Sequence, residues 1–386
     1  MLNSARQLKS IYEINTAVYL NRLSRKHGTR ITFASIPESE LVRIARFGCD
    51  SVWLMGVWQR SPFGANLALH DTSLMSEIHR VLPDFTRKDM LGSAYAIRGY
   101  QVDDAFGGEE QLITLRTRLA RHGLKLILDF VPNHTAFDHR WTSTHSNYYI
   151  HGRLRDRLRH RTWYRRRAKH FIACGRDPQF DPWPDVAQLN AFSNAYRHAS
   201  IETLLHIASL CDGVRCDMAM LMLGDVFQKT WGSRAGARPH KEYWGTVISA
   251  TRTAFPNFIF IAESYWDTQR VLVSQGFDYC YDKDIYDHLV AGNPTAAAER
   301  VASTKDIAAH LLHFLENHDE PRAATVFSHS MHRTAIRYIT RLPGPCLWHD
   351  GEFEGFRVKL PVHIGRGPDE QVDAAIDALY HSELQR

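Results

Sequence analysis

Short, β-rich apolar runs recur along the chain at 11–20 (IYEINTAVYL), 51–58, 124–131, 213–220, 258–265, 277–284, 310–317 and 345–353. Between them lie stretches such as ESELVRIARFG, EEQLITLRTRLARHG and NAYRHASIETLLHIASL, with apolar residues three and four apart. That spacing makes one face of a helix. The first two stretches end at Gly48 and Gly123, which suit helix C-caps because glycine enters the left-handed region without a Cβ clash. Strand alternating with helix predicts parallel pairing through right-handed crossovers. Eight such units predict an α/β fold of the closed (β/α)8 TIM-barrel type. A doubly wound sheet is the alternative, but no Gly-rich phosphate fingerprint follows any run.

The alternation lapses between Thr135 and about Gln188, a stretch rich in aromatics, His and Arg with a PQFDPWPD turn cluster. So long a gap inside a barrel predicts a small inserted domain or functional excursion. The expected organisation is therefore a barrel over 1–134 and 191–386, with an insertion over 135–190 after the third strand. It would overhang the C-terminal mouth.

The 386 residues are 44% hydrophobic and 23% charged, which excludes disordered and collagen-like classes. A chain of this size buries enough core to need no disulfide or metal staple. Its six cysteines form no CxxC pair, and Cys211, Cys216 and Cys280 fall inside apolar runs as small core residues. No 18-residue apolar run occurs. These features point to a cytoplasmic protein without a membrane partner. The net charge of +5 is concentrated in RLRDRLRHRTWYRRR (153–167), which holds eight Arg and one Asp. The expectation is a solvated, ion-paired face of the insertion. No nucleic-acid motif accompanies it, so no nucleic-acid partner is expected. Oligomeric state is not legible at this level.

In a barrel, polar residues at the C-terminal strand ends converge on one mouth. Here they are Asp129, Asn133 and His134 on the third strand, Arg215 and Asp217 on the fourth, Glu263 on the fifth, and His318 and Asp319 on the seventh. Arg215 and Asp217 are two apart and share a strand face. The guanidinium is expected to hold the Asp217 carboxylate ionised, as a nucleophile requires. Glu263 follows FIFIA, where burial is expected to raise its pKa and suit a proton donor. A charged nucleophile, a protonated acid and a third carboxylate flanked by His are what a retaining glycosidase needs. Trp53, Trp58, Trp141, Trp163, Trp183 and Trp266 are candidates for stacking on sugar faces or for core packing.

The ordered set DFVPNH (129–134), GVRCDMAML (213–221), IAES (261–264) and LENHDE (315–320) resembles the alpha-amylase superfamily, glycoside hydrolase family 13. Weaker echoes are YEINT in the first strand, GSAYAIRGYQVDDAFGG (92–108) and DGEFEG (350–355). The resemblance implies Asp217 as nucleophile, Glu263 as general acid/base and Asp319 as the transition-state carboxylate. It implies that Arg215 orients the nucleophile, that His134 and His318 bind the sugar, and that Tyr95 forms an aromatic platform under it. The substrate implied is an α-glucan or small glucoside, cleaved by retaining hydrolysis or passed to another sugar by transglycosylation. A non-catalytic glycan-binding accessory protein is the reading from another class.

Two departures stand out. Many family members end the fourth-strand motif in Lys-His, the Lys reaching an acceptor-side sugar and the His carbonyl binding calcium. Met220 and Leu221 stand there and imply a more apolar acceptor side. No cofactor is required for the chemistry. Asn133 matches a calcium ligand but equally suits a loop cap. The family also commonly continues into a C-terminal antiparallel β domain. This chain stops at about its eighth helix, which implies either a shortened member or a truncated sequence.

Overall fold

The computed structural model describes residues 4–167 and 169–384. Each apolar run supplies one strand: β1 (Ser10–Asn15), β2 (Ser51–Met55), β3 (Lys125–Phe130), β4 (Gly213–Cys216), β5 (Ile259–Ala262), β6 (Tyr279–Tyr281), β7 (Leu311–Phe314) and β8 (Cys346–His349). All pair in parallel and in chain order, and β8 returns to β1 to close the barrel. The fold is the (β/α)8 TIM barrel expected. Parity along each strand divides the core. Ile11, Trp53, Ile127, Ile259, Ile261, Tyr281 and Leu347 pack together inside the barrel. Their neighbours Tyr12, Val52, Leu128, Val214, Phe260 and Trp348 pack outward under the helices. Gly213 lets β4 fit between its partners, because a Cβ there would meet Ile259 Cβ at 2.7 Å and Ile127 Cδ1 at 2.9 Å.

The three amphipathic stretches form helices Glu38–Arg46, Gly108–Arg121 and Asn194–Leu210. Gly48 and Gly123 take positive φ of 77° and 73°, as expected of residues that stop a helix. The first run differs from its sequence reading. IYEINTAVYL leaves the strand at Asn15, whose side chain accepts from Val18 N and caps helix Thr16–His27. At the other end, helix Ala374–Leu384 docks through Tyr380, which donates to Glu352 at 2.6 Å and contacts His332 Nε2 at 2.9 Å.

The segment that shows no alternation in sequence nonetheless carries a sheet. His134–Ala136, Trp183–Gln188, His170–Gly175 and His151–Gly152 pair antiparallel in that order, with Tyr164–Arg167 on His170–Gly175. These strands are short and charge-bearing, so their pairing is set by distant partners rather than by a local apolar period. The Arg-rich stretch forms helix Leu154–Arg159 and strand Tyr164–Arg167. It is not the ion-paired face expected. Its one carboxylate, Asp156, turns inward to hold Arg234 at 2.6 and 2.7 Å. Arg153, Arg155, Arg159 and Arg161 are exposed, with no carboxylate partner among the described residues.

All six cysteines are buried and unbridged. No helix among the described residues is long and apolar enough to cross a membrane.

Candidate active site

The inward parity that builds the barrel core continues one step past its last apolar layer. Ile127 is followed by Asp129, Ile261 by Glu263 and Ile11 by Glu13, while Arg215 lies in register with Asp129 and Ile261. Asp217 follows Arg215 on the same face. The site residues therefore point at one another because two-residue periodicity leaves them no other direction.

Arg215 is the hub. Its Nη1 donates to Asp217 at 2.9 Å and its Nη2 reaches Glu263 at 2.8 Å, with Asp129 at 4.0 Å. The guanidinium also lies 5.2 Å from the ring centroids of Trp53 and Tyr95. Asp129 accepts from Trp53 Nε1 at 3.2 Å and Gly56 N at 2.9 Å, so it braces the floor beneath the hub. Glu263 is further fixed by Met218 N at 2.6 Å and Tyr265 Oη at 2.8 Å. Met218 delivers that N–H from a left-handed backbone, φ 44° and ψ 45°. This strained conformation for a non-glycine residue is held where it aims a donor at a carboxylate.

A second chain of contacts runs through His318. Its Nδ1 meets buried Glu13 at 2.5 Å, and its Nε2 meets Tyr95 Oη at 2.7 Å and Asp319 Oδ2 at 3.0 Å. The Tyr95 and His318 rings are stacked, centroids 5.4 Å apart.

These contacts set the protonation pattern. Burial, then the neighbouring Glu263 carboxylate, push Asp217 up to about 7 against the pull of Arg215. The expectation that Arg215 simply holds Asp217 ionised is thereby corrected, because one guanidinium is shared by two carboxylates and the pair titrates as a unit. The expectation for Glu263 rested on an apolar surround, whereas three polar donors hold that side chain. Burial also lifts Asp129 to about 6. Burial opposes charge on His318, but Asp319 and Glu13 outweigh it and raise the imidazolium to about 10. Burial works against Asp319 too, yet His318 holds its carboxyl well below the ordinary range. The Asp319 side chain is 44% exposed, so solvent screens part of that attraction. His134, lowered to about 4 by burial, is a neutral imidazole at pH 7.

A cavity of about 260 Å³ opens over Tyr95, His134, Asp217, Met218, Glu263 and Asp319. The insertion supplies its far wall through Trp183, Asp185 and Val186, and Trp183 packs on His134 with centroids 5.4 Å apart. Arg215 and His318 stand behind this lining and hold it. Sequence reasoning passed over Asp185, His363, Tyr265 and Tyr281. Glu13 was visible only as part of YEINT, though its inward parity after Ile11 was readable. Of the other Trp candidates, Trp53 and Trp58 are buried beneath the mouth, with Trp58 Nε1 on the Asp129 carbonyl. Trp163 is sandwiched by His160 at 4.4 Å and Arg176 at 4.3 Å.

Met220 and Leu221 are buried in the outer core and do not line the cavity. The acceptor side thus lacks a cation there without gaining an apolar wall. Asn133 does not fit a calcium cradle. Its side-chain oxygen is already engaged, accepting from Gln188 Nε2 at 2.8 Å.

Residues 39–195 match the model "Alpha amylase, catalytic domain". Alpha-amylase 3 of Dictyoglomus thermophilum is 22% identical over 309 residues, 71% of this chain and 56% of that protein. The chain thus spans little more than half the length of that curated relative. An alpha-amylase from Lactobacillus plantarum shares the fold at TM-score 0.69 and 21% identity, over 98% of this chain and 80% of that one. An alpha-amylase from Geobacillus thermoleovorans, solved with acarbose, does so at TM-score 0.65 and 17% identity, over 98% and 78%. The catalytic-domain model thus matches β2, β3 and the insertion, and the solved amylases share the barrel that runs on through the strands leading to Arg215, Glu263 and His318.

Proposed function

We propose that the protein is a retaining α-glycoside hydrolase acting on α-glucosidic bonds of oligo- or polysaccharides. The observation that carries this reading is the pairing of Asp217 and Glu263 on one buried guanidinium, at the floor of a cavity rimmed by Asp319, His134 and Tyr95. Two carboxylates held this closely suit double displacement, in which they lie about 5–5.5 Å apart, rather than inversion, which leaves room for water between them. Asp217 attacks the anomeric carbon while Glu263 delivers its proton to the leaving oxygen, and a glycosyl ester forms on Asp217. Glu263 then takes a proton from water, which attacks the same carbon and frees Asp217. Asp319, positioned by the His318 imidazolium behind it, fixes ring hydroxyls as the oxocarbenium character develops. The match to the alpha-amylase catalytic-domain model and the acarbose complex of the Geobacillus neighbour support an α-glucoside as substrate. A sugar replacing water in the second step makes the same residues a transglycosylase.

The test is incubation with maltooligosaccharides, trehalose and sucrose separately, with products resolved by chromatography against Asp217→Asn. Turnover in the parent should fall by about 10⁴-fold or more in the variant, as for other enzymes stripped of a nucleophile. Longer products mark transfer and shorter ones hydrolysis. Folded protein with no turnover on any of the three would leave the non-catalytic glycan-binding reading.

A further inference from the structure

A cavity larger than that of the candidate active site lies outside it. About 610 Å³ in volume, it sits between the hairpin Trp58–Arg60/Ile97–Val102, the start of the insertion (Asp138–Tyr148) and helix Asn194–Leu210. Two segments line both cavities. Tyr95 and His134 face the candidate active site, while Arg98–Gln101 and Asp138–Trp141 face the second cleft.

Asp138 is held by Ser61 Oγ at 2.6 Å and Tyr100 by the Val131 backbone, but much of the remaining polar lining is uncommitted. The side chains of Gln59, Arg98, Gln101, Arg140 and Glu202 and the indole N–H of Trp141 have no hydrogen-bond or ion-pair partner among the described residues. Elsewhere, most guanidinium groups near the fold's interior are engaged, as with Arg215, Arg197 and Arg322. The floor is kept low by Gly99, where a Cβ would meet Gln101 Oε1 at 2.5 Å and Gln59 Oε1 at 3.7 Å. Both amides are thus turned to the same patch of floor. Tyr100, Trp141 and Tyr148, all half-buried, give the cleft ring surface.

Planar groups that donate and accept in pairs, set beside aromatic rings, match the chemistry of a hexose. Such a sugar presents a ring of vicinal hydroxyls at its edge and C–H bonds on its faces. A compact anion would be met by Arg98 and Arg140 but opposed by Glu202 and Asp138, and would leave the amides and rings idle. We propose that this cleft is a second, non-catalytic binding site for an α-glucan chain, holding one stretch of the chain while another reaches the reacting carboxylates. The glucan identity of the ligand rests on the function proposed above. The existence of a second saccharide site rests on the cleft alone.

Maltoheptaose titrated calorimetrically into full-length Asp217→Asn protein supplies the test. Two sites per chain are expected. Trp141→Ala and, independently, the exposed-residue pair Gln101→Ala/Glu202→Ala should weaken one site by about tenfold or more and leave the other unchanged. In the Asp217-containing background both should keep the wild-type rate on a short chromogenic maltooligoside and lose retardation in starch-containing native gels. The surface pair guards against a local folding defect in Trp141→Ala. A single site in the parent, or two sites of undiminished affinity in the surface variant, overturns the proposal. If wild-type protein cleaves no glucoside, the functional reading fails, yet maltoheptaose binding that responds to Gln101→Ala/Glu202→Ala still upholds the cleft and its absence sinks it.

Discussion

At the scale of single residues, the sharing of one guanidinium by two carboxylates dominates the chemistry. Because Asp217 is raised to about 7, the form able to attack is lost as pH falls through neutrality. The kcat/KM profile of the free protein should therefore show an acid limb with a midpoint near 7 rather than near 4, read from initial rates across pH 4–9. His318 gives the opposite dependence. Its folded pKa of about 10 lies above the ordinary 6.5, so its contribution to stability is fully present below 6.5 and is lost as pH rises through about 10. Glu13→Gln removes one of the two anions responsible. The variant should lower the His318 titration midpoint, followed by imidazole NMR, and weaken substrate binding more than turnover. Which side chains meet at the mouth was legible from sequence, because strand parity places them. Their protonation was not. Asp217 depends on Glu263, a residue 46 positions further along the chain, and on how completely the mouth is desolvated.

Among elements, β4 is the most tightly specified. Gly213 at its start has no room for a side chain, so Gly213→Ala should destabilise the protein by about 1–3 kcal/mol through overpacking, measured as a drop in the denaturant midpoint. Just beyond its end, Met218 occupies a conformation that β-branched residues rarely adopt. Met218→Gly should preserve stability to within about 1 kcal/mol, whereas Met218→Val should lose about 2 kcal/mol or more. Thermal unfolding of the two variants side by side makes the comparison. All eight barrel strands were legible as apolar runs because burial on both faces writes itself continuously into sequence. The sheet of the insertion was not, since Tyr-Arg-Arg-Arg and His-Gly carry no apolar period and become strands only through partners elsewhere. The hairpin from Trp58 was hidden for a related reason: its first strand merges with the run that begins at Ser51, and its partner begins only at Ile97.

For the molecule as a whole, barrel and insertion share the task of enclosing the cavity, and the last helix stabilises the barrel's far side. Tyr380→Phe would leave a buried Glu352 oxygen without its donor, at a cost of about 1–3 kcal/mol in unfolding free energy. The inward turn of Asp156 has a consequence beyond the ion pair it makes. It leaves the exposed face of the helix Leu154–Arg159 without a carboxylate, and on that face Leu154 and Leu158 are 61% and 64% exposed, one helical turn apart. Two chains meeting there would bring exposed guanidinium groups within about 8 Å of one another, inside the range where physiological salt leaves repulsion effective. The arginines thus act as gatekeepers over a pair of leucines that would otherwise be adhesive. Arg155→Gln/Arg159→Gln should leave the fold intact but shift light scattering toward larger species at low salt, and colloidal behaviour would then be traced to one carboxylate facing the wrong way for solvent and the right way for Arg234.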